Sequence, residues 1–144
     1  MWQNSLNRKS TIRYNGNIGG EICEYYDEEN KKIVSFIDSK GEVCNNKDGF
    51  ARRISWYDNF GRLVAQKDVT IDGNIHGLIG IREFIDSEKR ECAYYIHYED
   101  GQGHIIHNDN GSVFEYFEDD NKGRTIKNLY LDSKVALHLN PLLF

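Results

Sequence analysis

A chain of 144 residues with 39% apolar and 28% charged side chains suits one domain, with enough apolar material for a core, but a thin one. Its net charge of −5 argues against a nucleic-acid footprint, which needs a clustered excess of Lys and Arg. Aromatics at 12% and a single proline, Pro141, favour strands, because proline inside a sheet removes a ladder hydrogen bond.

The N-terminal "MWQNSLNRKS" has no apolar run of the signal-peptide kind. No segment reaches the roughly 20 apolar residues of a membrane-spanning helix. A cytoplasmic protein without a membrane partner is therefore expected. Cys23, Cys44 and Cys92 are odd in number and none lies in a C-x-x-C spacing. They read as free thiols of a reducing compartment rather than a disulfide framework or a zinc site.

From about residue 10 to 132 an aromatic repeatedly stands two places before an aspartate: Tyr25/Asp27, Phe36/Asp38, Trp56/Asp58, Phe84/Asp86, Tyr98/Asp100 and Phe117/Asp119. Three copies continue as D-x-x-G plus a polar and an aliphatic residue: Asp38 to Val43, Asp58 to Leu63, Asp100 to Ile105. The others run into "DEENKKI", "DSEKREC" and "DDNKGRTI". Between them lie Asn15-Gly16, Asp48-Gly49, Asp72-Gly73 and Asn110-Gly111, read as two-residue hairpin loops. Turn signals at such short intervals predict an all-β fold: an antiparallel meander of about ten short hairpin-linked strands in a twisted open sheet, half-closed or folded into two layers. Residues 1–144 form a single domain in this reading, with repeats over 10–132. The last segment differs. Asp132 is expected to cap a short helix from Ser133 to Leu139, and the apolar stretch 133–144 to cover an open end of the sheet.

The best copy, "SWYDNFGRLV", carries a packing rule. With Asp58 to Gly61 as a four-residue turn, Tyr57 faces Arg62, Trp56 faces Leu63, and Ser55 faces Val64. The same rule pairs Phe36 with Val43 and Tyr98 with Ile105. One face then holds Ile54, Trp56, Leu63 and Ala65 and is buried. Arg53, Ser55, Tyr57, Arg62, Val64 and Gln66 lie on a wet face.

"WYDNFGRLV" resembles the YD-repeat family, whose unit runs Y-D-x-x-G-R-L, through Tyr57, Asp58, Gly61, Arg62 and Leu63. "FIDSKGEV" and "YEDGQGHI" resemble it more loosely, and hairpin families of the MORN type look similar through their Tyr- and Gly-rich units. The resemblance implies a β-meander scaffold from bacterial surface and toxin systems. It transfers no catalytic residue.

Candidate chemistry is sparse. In "YIHYEDGQGHIIH", the same register sets Glu99 opposite His104 with His97 on that face, a possible divalent-metal or proton-sharing set. Solvated hairpin residues explain it as well. The acidic loops lack EF-hand ligand order, and "GNIGG" is no phosphate loop. No cofactor and no resident metal are expected. The leading expectation is a non-enzymatic protein that binds another protein through an exposed sheet face. Tyr57, Arg62, Tyr95 and His97 are the candidate contacts, since Tyr and Arg suit interfaces. The toxin association of YD-type repeats implies one concrete form, an immunity or partner protein of a toxin. The alternatives are a structural, self-assembling module that joins copies through a sheet edge or the C-terminal tail, and a small metal-dependent hydrolase at His97, Glu99 and His104.

Overall fold

The computed structural model describes residues 6–14, 19–85, 93–107, 109 and 111–132. Ten strands follow one another: β1 (Arg8–Arg13), β2 (Gly20–Tyr26), β3 (Lys31–Ile37), β4 (Arg52–Tyr57), β5 (Leu63–Val69), β6 (Ile75–Phe84), β7 (Ala93–Glu99), β8 (Ile105–Ile106), β9 (Phe114–Asp119) and β10 (Thr125–Leu131). A 3-10 turn at Asp27–Glu29 is the one helical piece among the described residues. The strands form an open sheet in the order β1-β2-β3-β4-β5-β6-β7-β9-β10, with β8 paired to the end of β7. The all-β open meander expected from the turn signals is the fold. The helix and cover expected over 133–144, Cys92 and the 86–92 loop lie outside the described residues.

Contacts group the chain into two compact units, Met1–Ile79 and Gly80–Phe144. In the first, Cys23, Ile37, Phe50, Ala51 and Val69 are buried. Phe50 meets Phe36 edge-on at 5.5 Å, and Arg53 lies over the Phe50 ring while its guanidinium grips Asp68 at 2.8 and 3.1 Å. In the second, Ala93, Tyr95 and Tyr116 form the core, with Ile85, Leu129 and Leu131 packed against it. The Tyr116 hydroxyl donates to Glu118 at 2.9 Å, so its buried ring keeps a hydrogen bond.

One turn recurs six times among the described residues, starting at Asp38, Asn46, Asp58, Thr70, Asp100 and Asp120. In each, the first residue's N–H donates to the carbonyl four places on, and a glycine three places on donates back to the first carbonyl. That glycine has φ between 79 and 98° in all six, a region that costs a side-chain-bearing residue steric energy. This is a three-residue loop closed by a left-handed glycine, the type I turn with a bulge. Asp48-Gly49 and Asp72-Gly73 are thus the ends of three-residue loops, not two-residue turns. "DDNKGRTI" is a regular copy, entered from Asp120 rather than Asp119.

The loop corrects the expected register. Closure pairs Asp58 with Arg62 rather than with Gly61, so each hairpin slips by one residue. Tyr57 faces Leu63, Ile37 faces Val43 and Tyr98 faces Ile106. A further irregularity in β4–β5 then sets Trp56 opposite Ala65 and Ser55 opposite Gln66. The expected division into one buried and one wet face fails as well. Trp56 is only half-buried, under the Lys67 ammonium 5.6 Å from its ring, whereas Ser55 on the supposedly wet face is buried. Cations laid over aromatic rings cover both faces in part.

Candidate functional site

Residues that face each other across neighbouring strands share a side of the sheet. Arg8 of β1 faces Tyr25 of β2, Tyr25 faces Lys32 of β3, and Lys32 faces Ser55 of β4. Tyr57, two residues beyond Ser55, points the same way. The row packs by charge on ring: the Arg8 guanidinium is 4.5 Å from the centre of the Tyr25 ring, and the Lys32 ammonium 5.7 Å.

The row ends in a depression of about 340 Å³, bounded by Tyr25, Lys32 and Tyr57 and by two loops. One loop ends at Asn30, which takes a left-handed conformation with φ 51°. Its carbonyl accepts from the Tyr57 N–H at 2.8 Å, and its side-chain amide donates to Asn59 at 3.1 Å. The other loop is the Asp58 turn. The carboxylates nearby have partners: Asp27 meets Arg8 at 3.3 Å, and Asp58 meets the Arg62 Nε at 2.7 Å. Burial alone would raise the Asp58 carboxyl, but the Arg62 amide and guanidinium, with the Phe60 amide, outweigh it and hold it below the ordinary carboxylate range. Lys32 has no carboxylate partner among the described residues.

The residues expected to touch a partner separate. Tyr57 is half-buried and lines the depression. Arg62 instead clamps Asp58 and lies 5.2 Å from the Phe60 ring, so the arginine of the repeat motif is a turn lock. Tyr95 is 2% exposed and packs against Tyr116, which corrects its placement on an outer face. The face of β7 that carries Ala93 and Tyr95 is the covered one, because it packs onto the β9 tyrosine. His97 follows on that face, with Nε2 2.7 Å from Glu99 and its ring edge-on to Phe114 at 5.5 Å.

The facing of Glu99 and His104 on which the alternative metal set rests is not formed. The register slip pairs His104 with Asp100, its Nδ1 3.0 Å from Oδ2, and leaves Glu99 opposite Ile105. Among the described residues no group of three or more His, Cys, Asp and Glu is placed to hold a metal ion. Sequence reasoning missed Arg8, Tyr25 and Lys32, since their row depends on the pairing of β1, β2 and β3. It also missed Phe60, although the signal was present: an aromatic at the loop position where the five other described copies hold Lys40, Asp48, Asp72, Gln102 and Lys122.

The second unit has its own aromatic row. Phe84 lies 5.2 Å from Tyr94, Tyr94 stacks on Phe117 at 5.4 Å, and Arg82 covers Tyr94 at 5.2 Å. No helix among the described residues is long and apolar enough to cross a membrane. No family model, curated protein or solved structure matches the chain.

Proposed function

We propose that the chain is a non-enzymatic β-repeat protein that binds another protein through the sheet face around Tyr57. The supporting observation is the depression in which two tyrosine rings stand among cations, carboxylates and paired asparagine side chains. Such a surface offers large aromatic contact area with polar groups at its margin, the composition of a protein interface. An immunity or partner protein of a bacterial toxin is the concrete form that the YD-repeat resemblance suggests. A cytoplasmic location fits the free thiols Cys23 and Cys44.

The test is affinity capture from native lysate with wild type and with the double variant Tyr25→Ala, Tyr57→Ala. The proposal expects one specific protein to be retained by wild type and lost with the variant, while the melting temperatures agree within about 5 °C. A captured protein that ignores both changes would place binding elsewhere.

One observation favours self-assembly as a second reading. The end strand β10 exposes Ile126 at 62% and Tyr130 at 57%. Light scattering separates the two: a concentration-dependent increase in mass, abolished by Ile126→Lys, would support the structural module.

A further inference from the structure

Phe60 is 80% exposed at the tip of the turn whose sequence matches the repeat motif best. The five sister turns hold Lys40, Asp48, Asp72, Gln102 and Lys122 at the same place. They serve as internal controls. The glycine N–H closes the Asp58 turn at 3.0 Å and the Asp120 turn at 3.0 Å, so the loop needs no aromatic ring. Nor does the arginine lock: Arg62 reaches Asp58 at 2.7 Å with Phe60 beside it, and Arg124 reaches Asp120 at the same 2.7 Å beside Lys122. Contact with Arg62 leaves most of the ring in water. Folding does not account for this side chain, and an isolated large ring in a turn is a suitable anchor for a partner's pocket.

The neighbours of Phe60 indicate what the partner carries. Asn59 and Gly61, on either side of it, border the depression that Tyr25, Tyr57 and Lys32 line. Asp27 and Asp58 are engaged by arginines, whereas Lys32 rests over Tyr25 with no carboxylate partner among the described residues. The unspent charge at this spot is positive, on a chain of net charge −5. We propose that Phe60 and Lys32 form a two-point docking site for an acidic protein segment, with an apolar pocket or side chain of the partner meeting Phe60 and a carboxylate meeting Lys32. This rests on the protein-binding function proposed above and adds the anchor and the partner's chemistry.

The test selects short peptides from a random display library on the full-length wild-type protein alone, and then measures each enriched peptide on wild type, F60K and K32E. F60K installs the residue that the turns at Lys40 and Lys122 already use, so the fold is retained. The proposal expects enriched peptides that carry Asp or Glu next to an apolar residue. They should bind F60K and K32E at least roughly tenfold more weakly than wild type, and Glu→Lys peptides should recover on K32E. Peptides that bind wild type and F60K alike overturn the docking site. If they still lose binding with Tyr25→Ala, Tyr57→Ala, the protein-binding reading survives without it. Enrichment of basic or uncharged peptides also overturns it, as does self-association in sedimentation that F60K abolishes. An empty selection combined with no specific capture from lysate removes both readings.

Discussion

Asp58 shows how much one side chain contributes to a hairpin. Its Oδ1 accepts from the Phe60 N–H at 2.9 Å and the Arg62 N–H at 3.0 Å, and its Oδ2 takes the guanidinium. Asn46 supplies the same amide contacts without charge, accepting from Asp48 at 2.9 Å and Phe50 at 3.2 Å. Asp58→Ala is therefore expected to cost about 1–3 kcal/mol in urea melts, and Asp58→Asn roughly half of that. Equal losses would mean that the guanidinium contact, not the amide contacts, holds the turn. The D-x-x-G spacing announced this residue's role from sequence. The fate of Tyr95 was not legible, because a tyrosine suits either side of a sheet. Only its pairing with Tyr116 on β9 decides that it is buried.

At the scale of the element, the strands were legible and their pairing was not. Turn residues mark where a hairpin reverses, but a loop of three residues instead of two shifts every partner by one place. That slip moved Leu63 across the sheet and separated His104 from Glu99. Strand spacing also constrains glycine in a way local sequence does not reveal. A Cβ on Gly20, at the start of β2, would run into the Ile12 carbonyl oxygen of β1. Backbone cannot yield there without opening the β1–β2 ladder. Gly61 has open space around it and a φ of +81°. Gly20→Ala should thus cost more than about 3 kcal/mol or prevent folding, while Gly61→Ala costs about 1–2 kcal/mol for the left-handed backbone. Chemical denaturation of the two variants checks the order, and a milder Gly20→Ala would contradict the close approach of β1 and β2.

For the molecule as a whole, the repeated turns impose a common response to acid. Backbone amides hold the carboxyls of Asp38, Asp100 and Asp120 below the ordinary range, led by those of Glu42, His104 and Arg124 respectively, and Asp58 is lowered as described. A carboxyl depressed in the folded state adds stability above its unfolded pKa of about 3.9, and that stability is lost as pH falls through the folded value. Asp38 and Asp58 lie in the first compact unit, Asp100 and Asp120 in the second. Both units should therefore weaken together as pH drops below about 4. The urea midpoint should fall between pH 5 and pH 2.5, and fall less in Asp58→Asn, which has one titrating lock fewer. An unchanged midpoint across that interval would contradict the turn carboxylates as stabilising groups.

The turn also separates what folds from what can vary. Closure uses backbone atoms, the left-handed glycine and the side chain at the head of the loop, where Asp, Asn and Thr all serve. No two of the six described copies hold the same pair of residues between head and glycine, from Ser39-Lys40 to Ile71-Asp72 to Asn121-Lys122. Each hairpin tip is thus a two-letter slot on a self-locking frame. Exchanging the pair of one tip for that of another should transplant whatever that tip binds without altering the melt, which makes the chain a natural scaffold for grafted recognition sequences.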